Sequence, residues 1–263
     1  MSAAALALSV LAALLAAGLA VALSHLARHW RRRHQRGLLT RWPVPRVQAY
    51  EIDRRFAVGP LGPTPDTEIA FLPSWRVPGA IGDFEAWVLC LLAREARLIF
   101  EFGTGSGRTS YLLARNAPEA RVATLTIAAG TLLGGAPDDA PEALAAGAAE
   151  SLGAFYYEGT EAAARIEQLI GDSMSFDETP FAGRCDLVFV DGGHARSHVE
   201  NDTAKALRMV RPGGWVAWHD YRGPERAQGV FTVLNALARM DALRHVADTS
   251  LVVWQRPAEA GDG

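Results

Sequence analysis

The stretch Leu98-Ile-Phe-Glu-Phe-Gly-Thr-Gly-Ser-Gly-Arg-Thr109 constrains this chain more than any other. An apolar run reads as a buried strand. A turn follows with glycines at 103, 105 and 107, and a helical pattern begins at Thr109. Strand, glycine turn and helix in that order belong to a parallel α/β sheet whose backbone lets a nucleotide-like ligand come close. Glycine at such positions removes the Cβ atoms that would block the approach. A dinucleotide fingerprint would need its third glycine at position 108, which is Arg108; a nicotinamide-dependent oxidoreductase is therefore a poor reading.

The rest of the chain alternates strand-like and helix-like segments. Phe84–Arg94 is an amphipathic helix with Asp83 as its expected N-cap. Strands are expected at 97–102, 121–127, 165–170, 185–190 and 214–218, with helices around 110–116, 198–210 and 229–240. Residues 243–247 and 250–254 form a closing pair. The fold class is thus α/β: a doubly wound, mostly parallel seven-stranded sheet with an antiparallel last strand. Cys90 and Cys185 show neither a disulfide framework nor metal-knuckle spacing.

Charge is distributed unevenly. No Asp, Glu, Lys or Arg precedes Arg28, seven arginines lie from Arg28 to Arg46, and the first acid is Glu51. Nineteen bases then face all 29 acids, so residues 47–263 carry a net charge of −10. A body this acidic is a poor partner for nucleic-acid phosphates. Ala3–Leu23 is uncharged and rich in Ala and Leu. Some 20 residues at ~1.5 Å rise match a ~30 Å hydrocarbon core, and positive flanks stay cytoplasmic. The expected organisation is a transmembrane helix (1–27), a basic juxtamembrane segment and Pro/Gly-rich arm (28–80), a catalytic domain (81–256) facing the cytoplasm, and a disordered tail (257–263).

Ligands in such sheets bind beyond the carboxyl ends of the strands. Those ends read Glu101 with the glycines, Gly171-Asp-Ser173, Asp191-Gly-Gly-His194 and His219-Asp-Tyr221. Four ends with polar, mostly acidic groups exceed what a structural sheet needs. The run from Ile99 to Tyr221, with Val190-Asp-Gly-Gly-His194, Arg211-Pro-Gly-Gly214 and His219-Asp-Tyr221, resembles the bacterial class I S-adenosylmethionine (SAM) dependent methyltransferases with V-D-G-x-H and H-D-Y motifs. The resemblance covers about half of the chain.

The resemblance implies that Glu101 and the turn Gly103-Thr104-Gly105-Ser106 cradle the methionine part of SAM. It implies that Asp172 and Ser173 hold the adenine and that Asp191 also touches the cofactor. The family places an acid at the second strand's end to hold the ribose; here Thr126 stands in that place and offers a single hydrogen bond instead of a charge-assisted pair. Some sugar and macrolide O-methyltransferases hold Mg²⁺ on an Asp-x-x-His and an acidic pair, with the His as base. The corresponding set here is Asp191, His219 and Asp220 for a metal, with His194 and Asp191 as catalytic residues. The expectation is a SAM-dependent O-methyltransferase acting on a small or lipid-linked acceptor at the cytoplasmic membrane face. The alternative is an inactive methyltransferase fold serving as a membrane-tethered scaffold, favoured by Thr126. Trp75, Tyr156 and Tyr157 are candidates for the acceptor pocket or for plain packing.

Overall fold

The computed structural model describes residues 15–16, 18–26, 42–57, 65–131, 134–137, 139, 144, 154–238 and 242–258. It divides into residues 1–42 and residues 43–263. In the first unit residues 15–16 and 18–26 are helical, with Leu15, Leu19, Val21 and Leu23 exposed. Most of the expected span Ala3–Leu23 and all of the arginine run from 28 to 41 lie outside the described residues. Among those described, no helix is long and apolar enough to cross a membrane.

The second unit is built on one sheet of eight strands: β1 (Arg46–Val47), β2 (Leu98–Phe102), β3 (Arg121–Thr126), β4 (Ile166–Ile170), β5 (Cys185–Val190), β6 (Val210–Trp218), β7 (Arg244–Val246) and β8 (Val252–Gln255). Their order is β1-β7-β8-β6-β5-β2-β3-β4. All neighbours run parallel except β8, which is antiparallel to both β6 and β7. The sequence reading of seven strands is corrected to eight. β1 has two residues, follows Pro45 and cannot show a period; tertiary pairing alone makes it a strand, through His245 N–H to the Pro45 carbonyl and Ala247 N–H to that of Val47, both 2.8 Å.

Among the described residues, five helices accompany the sheet: α1 (Ala49–Ile52), α2 (Asp83–Leu92), α3 (Arg108–Asn116), α4 (Arg196–Met209) and α5 (Gln228–Leu237). Contacts link α2 with α3 and α4 with α5. Leu187 and Phe189 of β5 join the buried cluster formed by α2 and α3. The period-two alternation of a strand turns Val188 and Val190 to the opposite face. β5 therefore has no exposed face, which is why it reads as an unbroken apolar run. α2 starts one residue earlier in role than expected: Gly82 is the N-cap, and Glu85, not Asp83, closes the cap by accepting the Gly82 N–H at 2.7 Å.

Asp83 instead serves a buried arginine. Arg108 opens α3 with a side chain 1% exposed. Its guanidinium donates to the carbonyls of Leu72 (2.8 Å) and Ile81 (3.1 Å) and to Asp83 Oδ1 (2.9 Å). All sides of the fork are satisfied, as burial of a cation requires. The Pro-rich arm is thereby fastened to the helix that leaves the glycine turn. Asn116, at the other end of α3, bonds both the N–H and the carbonyl of Ala70.

Candidate active site

The carboxyl ends of β2 to β6 surround a cavity of about 440 Å³, within the range typical of small-molecule sites. Its wall is made by Gly103, Thr104, Gly105 and Ser106 of the turn, Thr126 and Ile127 after β3, Asp172 and Ser173 after β4, Asp191 to His194 after β5, and His219 and Asp220 after β6. Pro78, Gly79 and Ala80 of the arm close one side. Of the cofactor, catalytic and metal residues expected from sequence, all but Glu101 are therefore gathered at one site.

Glu101 needs correction. It is one residue before the end of a strand buried on both faces, and its side chain points into the layers, not along the strand. It is 1% exposed and accepts from Ser110 Oγ of α3 and from Thr124 Oγ1 of β3, its direct neighbour in the register, at 2.7 Å. Burial pushes its carboxyl up to about 8, against these hydrogen bonds, and the charge of Asp191 adds to the rise. Its work is to tie β2, β3 and α3 together beneath the turn. The Thr104 hydroxyl joins the same buried network through Thr124 Oγ1 (2.8 Å) and Gln168 Nε2 (3.1 Å), so Thr104 offers the cavity backbone.

The glycines of the turn divide by role. Gly103 has φ +94° and a Cβ there would lie 2.0 Å from the Asp191 carbonyl oxygen. Gly107 has φ +75° and a Cβ there would strike Tyr157 at 2.8 Å. Both are demanded by the close approach of other chain segments. Gly105 has φ +50° and nothing within 4 Å; its backbone borders open cavity, the space a ligand's backbone-hugging part would fill. Tyr157 is buried and bonds Gln168, whereas Tyr156 and Trp75 are exposed, and none of the three lines the cavity.

At the mouth the charged groups form one connected cluster. His219, 6% exposed, sits among three carboxylates: Nδ1 is 2.9 Å from Asp191 Oδ1 and 3.4 Å from Asp220 Oδ1, and Nε2 is 3.2 Å from Glu85 Oε2. Burial would lower its pKa, but the charge of Asp191 and the hydrogen bonds to Asp191, Asp220 and Glu85 outweigh that and push it up to about 12. Burial in turn would raise Glu85, but the hydrogen bond and charge of His219, with the Ser250 N–H at 2.6 Å and hydroxyl at 2.8 Å, bring it down to about 2. Asp220 has φ +61°, a conformation costly for any residue but least so for Asp and Asn. That twist lets its Oδ2 meet His194 Nε2 at 2.8 Å while Arg222 Nε stands 2.8 Å from Oδ1. Burial opposes ionisation of Asp220, yet the hydrogen bonds from His194 and His219 hold its carboxyl well below the ordinary range.

Glu85, Arg222 and Arg226 were not expected from sequence. Glu85 carries only a capping signal there, and its partners His219 and Ser250 are 134 and 165 residues away.

Asp191, His219 and Asp220 do bring ligand atoms within 4.8 Å of one another. The donor chemistry does not suit Mg²⁺. That ion wants oxygen ligands, and a histidine ligates only through an unprotonated nitrogen. Both His219 nitrogens already face carboxylates, and the ring is the cation that balances them. The fit to SAM is better: open backbone at Gly105, acidic and hydroxyl groups after β3 and β4, and a buried imidazole, His198, that lines the cavity and whose Nε2 has no hydrogen-bond partner.

Residues 100–221 match the family model described as a methyltransferase domain. Among solved structures, the chain is similar to the O-methyltransferase NovP, at 15% identity over 67% of this chain and 81% of that one, with a TM-score of 0.50. The O-methyltransferase TomG from Streptomyces achromogenes, involved in tomaymycin synthesis and solved with SAM, matches at 22% identity over 67% and 82%, with a TM-score of 0.45. An O-methyltransferase from Bacillus cereus solved with S-adenosylhomocysteine (SAH) gives 18%, 67%, 82% and 0.46. No curated protein matches the sequence. The family match falls on the stretch that carries the motifs, and the likeness to solved structures shows a Rossmann-like methyltransferase fold.

Proposed function

We propose that this methyltransferase moves the methyl group of SAM to an oxygen of a small-molecule acceptor, without a metal, with His194 as general base. The observation that carries the reading is the His194–Asp220 pair, Nε2 to Oδ2 2.8 Å, at the mouth of the cavity that the glycine turn opens. SAM, when bound, supplies an electrophilic methyl carbon on a sulfonium. The chain's share is to align the acceptor and to handle its proton. The His194 imidazole takes the hydroxyl proton. Asp220, held ionised by its neighbours, orients the ring and stabilises the imidazolium that forms, the role an acid plays behind any histidine base. His219, fixed between Glu85 and Asp191, keeps Asp191 and Asp220 in place with a positive charge that in other sites a divalent ion provides. The arm at Pro78–Ala80 limits water on one side.

Calorimetric titration with SAM, followed by an acceptor screen with and without EDTA, tests this reading. Micromolar binding and EDTA-insensitive turnover are expected. His194→Ala should lower turnover by about 10²–10³-fold while SAM affinity stays within twofold of the parent. Unchanged turnover rules the base out.

Action at the cytoplasmic membrane face on a lipid-linked acceptor rests on Ala3–Leu23 and the arginines that follow; recovery of the full chain in the soluble fraction after cell breakage would remove it. A scaffold without turnover is favoured by Thr126, whose lone hydroxyl lines the cavity where the family has an acid. Absence of SAM binding by the folded protein would select that reading.

A further inference from the structure

α4 presents two buried polar side chains to the cavity, His198 and Asp202, one turn apart and each 1% exposed. They stand behind the Gly192-Gly193 pair. A Cβ at Gly193 would lie 3.4 Å from His198 Cβ and Cγ, and one at Gly192 would lie 3.2 Å from Asp202 Oδ2. The imidazole packs directly on Gly193, and Gly192 leaves room for the carboxyl at the wall. Asp202 bonds Ser173, so the pair marks the end of the cavity formed by the loop after β4. The Ser173 carbonyl is itself held by Asn201 Nδ2 at 2.9 Å and Lys205 Nζ at 2.6 Å.

The neighbours of His198 fix which of its nitrogens carries the proton. Ser197 Oγ lies 2.6 Å from Asp139 Oδ2 and 3.4 Å from His198 Nδ1. A hydroxyl has one proton to give, and the shorter contact takes it. Burial would raise Asp139, but hydrogen bonds from Ser197 and Ala136 lower it, so its carboxylate is ionised and only accepts. Toward His198, Ser197 Oγ is therefore the acceptor, Nδ1 is the donor, and Nε2 carries a lone pair. That Nε2 is buried and has no partner. An unsatisfied buried acceptor is unfavourable, and a ligand N–H can recover that loss.

We propose that His198 Nε2 accepts a hydrogen bond from the exocyclic amino group of the cofactor's purine, making His198 a residue that selects adenine over a 6-oxo purine. The inference rests on the SAM reading and extends it to a residue outside every motif in the sequence. A 6-oxo group has no proton to give and would set an oxygen lone pair against that of Nε2, so replacement of the amino group both removes a bond and adds a repulsion.

The test compares SAH with S-inosylhomocysteine, which differs only in that 6-position, by calorimetry on the whole protein. Wild type is expected to hold SAH at least about tenfold more tightly. His198→Phe keeps a buried ring and loses the acceptor; the preference should shrink to about threefold or less. His198→Gln, whose Oε1 can stand near the place of Nε2, should restore it. If His198→Phe keeps the wild-type ratio, or if wild type binds both compounds equally, the assignment to His198 is overturned while the cofactor reading stands. If folded wild type binds neither, the cofactor reading fails and this inference with it.

Discussion

The turn after β2 and the mouth formed by the ends of β5 and β6 do their work with opposite materials. The turn is backbone: Gly103 is forced by the Asp191 carbonyl, Gly107 by Tyr157, and only Gly105 is left for a ligand. The mouth is charge: His194, His219 and Arg222 interlock with Glu85, Asp191 and Asp220. A fold can thus spend most of a glycine motif on its own packing, and the motif's presence says less about ligand contact than its regular spacing suggests. The charged mouth teaches the reverse. Ion pairs, buried or exposed, add little net stability, so six interlocked charged groups in one place are better explained by chemistry than by folding.

Four substitutions would break or sharpen this contrast. Gly103→Ala should cost most, more than about 4 kcal/mol, because its Cβ meets backbone and φ is +94°; soluble yield and the urea midpoint report it, and a folded variant of near-normal stability would undo the packing account of that glycine. Next comes Glu85→Ala. It strips His219 of one of its carboxylates and leaves the Ser250 N–H unanswered, at a cost of about 3 kcal/mol. A loss under about 1 kcal/mol would mean the mouth is softer than its geometry implies.

The third concerns pH. A free glutamate titrates near 4.5, whereas Glu101 in the folded chain titrates at about 8. Between those values the folded state holds a proton that the unfolded state has released. Stability is full below about 4.5 and falls as pH rises through about 8, by up to ~1.4 kcal/mol per pH unit. Glu101→Gln should flatten that slope in unfolding curves recorded from pH 5 to 8; an unchanged slope would show that other groups produce it. Smallest in stability is Gly105→Ala, about 1 kcal/mol for its φ of +50°. The same change should weaken SAM binding at least about tenfold, and a variant that binds normally would deny Gly105 its place beside the ligand.

Much of this is legible in the sequence. Apolar runs located five of the parallel strands, most clearly β5, which is covered on both faces and has little room for polar residues. The strand ends then collected the site, since topology fixes where those ends converge. What stayed hidden had physical causes. β1 is too short to show a period. Glu101 stands beside the glycines in sequence, but its position in the pleat turns it inward to Ser110 and Thr124. Glu85 looked like an ordinary helix cap and is one, yet its second carboxyl contact lies across the fold at His219. Arg108 served the sequence argument only as a missing glycine, and proves to be the bolt of the arm.

The two-residue strand β1 has a consequence for association. It ends the sheet, and a sheet's last strand is where another chain can add itself through unpaired amides. Here that margin is short, follows Pro45 and carries Arg46 paired with Asp248 at 2.6 Å, so it offers a second copy almost nothing to pair with. Removing the chain up to Trp42 leaves this guard in place. Removing it through Val47 would bare the amides of His245 and Ala247 along β7 and convert a closed margin into a self-adhesive one.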